Sequence, residues 1–133
     1  MIIEDDKFIL KAMDYKFIES GFEVKVAMSA EEGLLILKKW QPDAIVLDIL
    51  LPGIDGYAFL RTVKADAKLK SIPVIISSNL DEEVGHHPLA SQYIVKSDLD
   101  LDELVKRVRK VIKGKSTAAF IHVIFLGLFF IPI

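Results

Sequence analysis

Acidic residues, hydroxyls and a lysine stand where short apolar runs end. Glu4, Asp5 and Asp6 follow Ile2-Ile3, and Asp48 closes Ala44-Ile45-Val46-Leu47. Ser77 and Ser78 close Val74-Ile75-Ile76, and Lys96 follows Tyr93-Ile94-Val95. A carboxylate at the end of an all-apolar run is costly to bury unless it has a partner. Several carboxylates in one place repel each other unless a cation lies between them. Oxygen-only ligands suit Mg2+, which keeps some waters and leaves room for phosphate oxygens. A lysine and a hydroxyl beside such a site then serve a phosphoryl group rather than the metal.

Whether these groups can meet depends on the elements that carry them. Residues 44–47 are apolar throughout and include β-branched members, which predicts a strand buried on both faces. Phe8, Ile9, Ala12, Met13 and Phe17 have helical spacing and predict one inward face, ended by Ser20-Gly21. Phe22, Val24 and Val26 alternate with Glu23 and Lys25, as in a half-buried edge strand. Ser29 and Glu32 have capping-box spacing and open a second helix carrying Leu34, Leu35 and Leu37. Pro52-Gly53 and Asp55-Gly56 break the chain before a third helix over 57–65, with Phe59, Leu60 and Val63 inward. Asp100 and Glu103 repeat the cap spacing, and Leu104, Val105, Val108, Val111 and Ile112 mark the clearest helical face in the chain. Five short strands alternating with helices predict a doubly wound, five-stranded parallel sheet. In such a sheet the carboxyl ends of the strands share one edge, so the polar groups converge there.

Composition narrows the function classes. The 133 residues suffice for one domain with a real core. A net charge of -2, with basic residues spread along the chain, gives no electrostatic case for nucleic acid as a partner. No cysteine is present, which excludes thiolate chemistry and a disulfide framework, and Met1-Ile2-Ile3 running straight into Glu4-Asp5-Asp6 leads to the expectation of no signal peptide. Both observations fit a cytoplasmic protein. Adjacent His86 and His87 lack a third ligand and read as loop residues. Residues 1–113 are expected to form the domain and 114–133 a separate apolar tail. Residues 117–133 contain no Asp, Glu, Lys or Arg. That stretch is compatible with a membrane anchor, with a segment packed against this or another protein, and with sequence foreign to the native chain.

The order and strand-end placement of these motifs over residues 1–113 resemble the receiver domain of two-component response regulators, a flavodoxin-like fold. The resemblance implies that Asp48 is the phosphoacceptor and that Glu4 and Asp5 are the acidic pair. Mg2+ would then be held by Glu4, Asp5, Asp48 and the backbone carbonyl of Leu50. Ser78, five residues after Pro73, matches the switch hydroxyl, with Ser77 its off-register neighbour. Tyr93 matches the switch aromatic and Lys96 the phosphate-binding lysine. Pro52 and Gly56 match the loop that shapes the acceptor's turn. The implied partners are a sensor histidine kinase or phosphotransfer protein upstream and a protein target downstream. The implied role is that of a stand-alone phosphorelay component and not a turnover enzyme.

Three departures from the family pattern stand out. The first strand is very short. The stretch between Ser78 and Lys96 is also short, with Gly85 and Pro88 where the family's fourth helix runs, and Ser97 follows the lysine where proline is common. The apolar tail is the third. The short fourth-helix stretch motivates an alternative, a receiver-like interaction module that works without phosphate.

Overall fold

The computed structural model describes residues 1–51, 53–78, 87–95 and 100–115. Pro52, Lys96, the stretch expected to hold the family's fourth helix (79–86) and the tail beyond Lys115 lie outside the described residues.

Among the described residues nine elements follow one another: β1 (Ile2–Ile3), α1 (Lys7–Glu19), β2 (Val26–Ala27), α2 (Ala30–Leu37), β3 (Ile45–Leu47), α3 (Gly56–Ala65), β4 (Val74–Ser78), β5 (Gln92–Val95) and α4 (Leu101–Lys115). The strands form one sheet in the order β2-β1-β3-β4-β5, and every pairing is parallel. Successive side chains of a strand point to opposite faces, so strands covered on both sides must be apolar at every position. Ile3, Leu47 and Ile76 pack on one face with Leu37, Phe59, Leu60 and Val63 from α2 and α3. Ile2, Val46 and Ile75 pack on the other with Leu10, Met13 and Phe17 of α1 and Leu104, Val105 and Val108 of α4. This is the expected doubly wound sheet, and the expected inward faces of α3 and α4 are seen.

Other expectations need correction. On α1 the buried residues are Leu10, Met13 and Phe17, while Phe8 is 88% exposed and Ala12 also faces out. Apolar residues surround most of that helix, so periodicity could not choose the face. The choice comes from where the Asp6 cap starts the helix and how it crosses the sheet. On α2 the inward residues are Ala30, Gly33 and Leu37, and Leu35 faces solvent. The edge strand expected over 22–26 reduces to Val26–Ala27, because β2 pairs only with β1 and β1 offers just two residues. Phe22 and Val24 still pack, half-buried, against the α1 and α4 side of the core. β4, in contrast, ends in Ser77 and Ser78 as expected. The last helix continues past residue 113 to Lys115. Among the described residues no helix is long and apolar enough to cross a membrane.

Candidate acidic site at the strand ends

The site is built where β1 and β3 end side by side. The Asp48 N–H still donates to the Ile3 carbonyl at 3.0 Å, and the Glu4 N–H donates to Ala27 at 3.0 Å. Both acids are therefore held on strand ladders one step beyond the assigned strands. Glu4 is 2% exposed and Asp48 3%, whereas Asp5 is exposed. One carboxylate oxygen from each of Glu4, Asp5 and Asp48 lies within 4.8 Å of the others. The first expectation about the site is thus met in space: two neighbouring acids and a third 43 positions on come together.

Each surrounding polar group has a definite task. Asp6 caps α1, its Oδ1 accepting from the N–H groups of Phe8 at 2.9 Å and Ile9 at 3.1 Å. Its own N–H donates to Glu4 Oε2 at 3.1 Å, which orients the buried acid. Asp48 Oδ1 accepts from the Leu50 N–H at 3.1 Å. Asp55 caps α3 through Ala58 at 2.8 Å. The Gly56 N–H donates to the Ile49 carbonyl at 3.0 Å, tying the start of α3 to the residue after Asp48.

Glu31, on the first turn of α2, is a contributor that no sequence signal exposed. Its Oε1 accepts from the Ile54 N–H at 2.7 Å, beside Gly53, whose φ of +75° makes the turn. That backbone hydrogen bond holds the Glu31 carboxyl below its ordinary value of 4.5. A depressed carboxylate favours the folded loop above the unfolded value, and this contribution is lost as pH falls through the lower folded value. The Ile54 amide resonance is accordingly expected to titrate with a midpoint below 4.5. In Glu31→Gln that titration disappears; an unchanged midpoint in the variant would assign it to another acid.

The hydroxyls and the aromatic residue arrive from the other side of β3. Ser77 and Ser78 end β4 and are 1% and 0% exposed. Tyr93 stands opposite Ile76 on β5 and packs, half-buried, against the α2 and α3 side of the core. Val95 stands opposite Ser78, and Lys96 is the next residue in the chain. His87 is a loop residue, as expected: its ring lies 5.4 Å from that of Tyr57 and its Nδ1 accepts from the Leu89 N–H. Among the described residues, Glu4, Asp5 and Asp48 are the one acidic or histidine cluster with metal-binding spacing. Three oxygen donors without nitrogen or sulfur fit a hard cation such as Mg2+.

Comparisons with known proteins agree with this geometry. Residues 1–109 match the family described as the response regulator receiver domain. The transcriptional regulatory protein AfsQ1 of Streptomyces coelicolor is 36% identical over 100 residues, covering 72% of this chain and 43% of its own length. Protein PilH of Pseudomonas aeruginosa is 27% identical over 118 residues, covering 86% of this chain and 97% of its own. The chain spans about half the length of AfsQ1 and of several other curated relatives that it matches, but nearly all of PilH. Among solved structures, the signal receiver domain of a signal transduction histidine kinase from Syntrophus aciditrophicus superposes with a TM-score of 0.80 at 26% identity, covering 88% of this chain and 91% of that one. The receiver domain of Francisella response regulator 1452 gives 0.74 at 29%, with coverage of 86% and 96%.

Proposed function

The chain belongs to the response regulator receiver domain family, and from that premise we propose that Asp48 accepts a phosphoryl group in a histidine-to-aspartate phosphorelay. The observation that carries this reading is the convergence of Glu4, Asp5 and Asp48 within 4.8 Å at the carboxyl edge of the sheet.

The donors, on this reading, are Glu4, Asp5, Asp48 and the Leu50 carbonyl, and exposed Asp5 leaves the site open to solvent on one side. Bound there, Mg2+ supplies neutralisation of the carboxylates and of the charge on the incoming phosphoryl oxygens. Asp48 attacks phosphorus through a carboxylate oxygen as the donor's bond to phosphorus breaks, and the electron pair of that bond leaves with the donor's histidine nitrogen, or with acetate when acetyl phosphate is the donor. A carboxylate is a weak nucleophile, so rigid alignment on β3 and its neighbours does most of the work. The Leu50 N–H, donating to Asp48 Oδ1, helps to orient the carboxylate. Lys96 provides a positive charge for a phosphoryl oxygen, and Ser78 donates a hydrogen bond to another once the group is in place. Tyr93, on the strand paired with β4, reports the change to the surface. Phosphorylation thereby shifts a two-state interaction surface instead of building a new one. The partners are a sensor histidine kinase or phosphotransfer protein and a downstream protein target. Self-phosphorylation and hydrolysis are steps of the signal and not turnover of a substrate.

The test is incubation with acetyl phosphate and Mg2+. Acid-labile, hydroxylamine-sensitive phosphate is expected on the chain and is abolished by EDTA. A folded protein that takes no label and binds no beryllofluoride would leave the phosphate-independent module as the reading.

A further inference from the structure

Two departures from the family pattern have no part in phosphoryl transfer: the very short first strand and the apolar tail. The first leaves a gap in the sheet. Ile2 stands opposite Val26 on one side and Val46 on the other. The Ile2 N–H donates to the Lys25 carbonyl at 3.0 Å, and the Met1 amino group donates to the Ala44 carbonyl at 2.9 Å. β1 supplies no further rung, while residues 22–25 and 42–44 flank its continuation on the two sides. Rungs of a parallel ladder are evenly spaced along each strand. The next donors facing the line of β1 are therefore the N–H groups of Lys25 and Ala44. Neither donates to a backbone carbonyl among the described residues. The space between the two flanks is a cavity of about 330 Å³ bounded by Met1. It is walled on one sheet face by Phe17 and by Val108 and Ile112 of α4, and on the other by Trp40. A strand lying there would be covered on both faces and would have to be apolar at almost every position.

The second departure has that character. Phe120-Ile121-His122-Val123-Ile124-Phe125 is a run of aromatic and β-branched residues without Pro, Gly, Asp, Glu, Lys or Arg. That is the composition of a buried strand and not of an amphipathic helix. The run also starts close by. α4 ends at Lys115, about 4.5 Å along the helix axis beyond Ile112 in the cavity wall. The four residues 116–119 reach about 13 Å when extended, which is enough to turn back to the cavity. Its one polar side chain, His122, would have acidic neighbours in Glu23 and Asp43, which also line the cavity.

We propose that residues 120–125 lie in this cavity as a strand in line with β1, so that the chain's own tail completes the sheet at its amino edge. Unpaired ladder edges are a template for an added strand. A segment attached to the cavity wall meets that template at high effective concentration, ahead of any other chain. The apolar tail then serves as a piece of the core and not as a membrane anchor. This inference is independent of the acceptor reading, because it concerns the sheet edge opposite the acidic site.

The test is amide hydrogen exchange on the full 133-residue chain, read residue by residue. The Lys25 and Ala44 N–H groups are expected to exchange at least about tenfold more slowly in the wild type than in Val123→Pro, since proline removes a ladder donor and is excluded from central strands. Trp40 is the one tryptophan of the chain, and acrylamide is expected to quench its fluorescence more strongly in that variant. Nuclear Overhauser contacts between the Trp40 ring and residues 120–125 are expected in the wild type, and they decide the matter should the variant not fold. Equal exchange at Lys25 and Ala44 in the two proteins, or absence of those contacts, overturns the inference. Protection confined to a dimer gives the cavity to the tail of a second copy and overturns it too. Insertion of residues 120–125 into phosphatidylcholine vesicles, with Lys25 and Ala44 unprotected, assigns the tail to the membrane and likewise overturns it.

Discussion

Asp48→Asn is expected to lower acid-labile labelling from acetyl phosphate by at least about a hundredfold, the largest effect of any single change in this chain. Asparagine keeps the shape of the side chain, and its carbonyl oxygen can still accept from the Leu50 N–H that now binds Asp48 Oδ1. What disappears is the anionic oxygen proposed to attack phosphorus and one of the three carboxylates of the candidate metal site. The neighbouring acids cannot substitute. Glu4 is buried with Oε2 engaged by the Asp6 N–H, and Asp5 is exposed at the end of a different strand. Mg2+ binding is expected to weaken in the same variant, read by titration. Thermal stability in metal-free buffer should hold or rise, since a buried carboxylate beside two others is removed. Label on Asp48→Asn equal to wild type would refute Asp48 as the acceptor. A variant that loses label only because it unfolds is separated by its melting curve.

The second large effect is at a residue without functional groups. Gly56 is the first residue of α3, and its backbone lies against that of Asp48 and Ile49. A Cβ built there would stand 2.5 Å from the Asp48 carbonyl oxygen and 2.5 Å from Ile49 Cα. Both are backbone atoms, and neither can rotate away. Gly56 has no positive φ, so helix propensity alone would predict that alanine stabilises α3 by up to about 1 kcal/mol. The close approach reverses the sign. Gly56→Ala is expected to destabilise the fold by about 2–3 kcal/mol in urea unfolding, the range for overpacking a dense core. Relief of the clash pushes α3 from β3 and strains the Gly56 to Ile49 hydrogen bond, which displaces the Asp48 tip. Labelling of the folded fraction should therefore fall severalfold. A Gly56→Ala protein as stable as wild type would show that the gap between α3 and β3 opens freely, and that the acceptor tip is not clamped there.

Much of this fold is legible from local chemistry. Apolar runs such as 44–47 carry the strand signal because a parallel sheet covered on both faces tolerates no polar position. The caps at Asp6, Ser29 and Asp100 act locally: Ser29 Oγ accepts from Glu32 at 3.1 Å and Asp100 Oδ1 from Asp102 at 2.9 Å. α3 and α4 have narrow apolar stripes, so their inward faces could be read directly. α1 does not, and its periodicity pointed to Phe8 when Leu10, Met13 and Phe17 are buried. The edge strand at β2 was overextended for a similar reason: pairing length depends on the partner, and β1 is two residues long.

The candidate site divides in the same way. Residue types, order along the chain and position at strand ends belong to the sequence. They suffice to nominate Glu4, Asp5, Asp48 and the Ser77-Ser78 pair, because a parallel sheet brings its carboxyl ends to one edge whatever the details, while the choice of Ser78 within the pair comes from the family resemblance. Two further facts are tertiary. Glu31 reaches the loop after Asp48 from another helix, and Gly56 presses on the backbone of Asp48 and Ile49. Each depends on register and on distances of a few ångströms between segments far apart in the chain. Local propensities cannot encode such distances, and only the packed sheet and helices determine them.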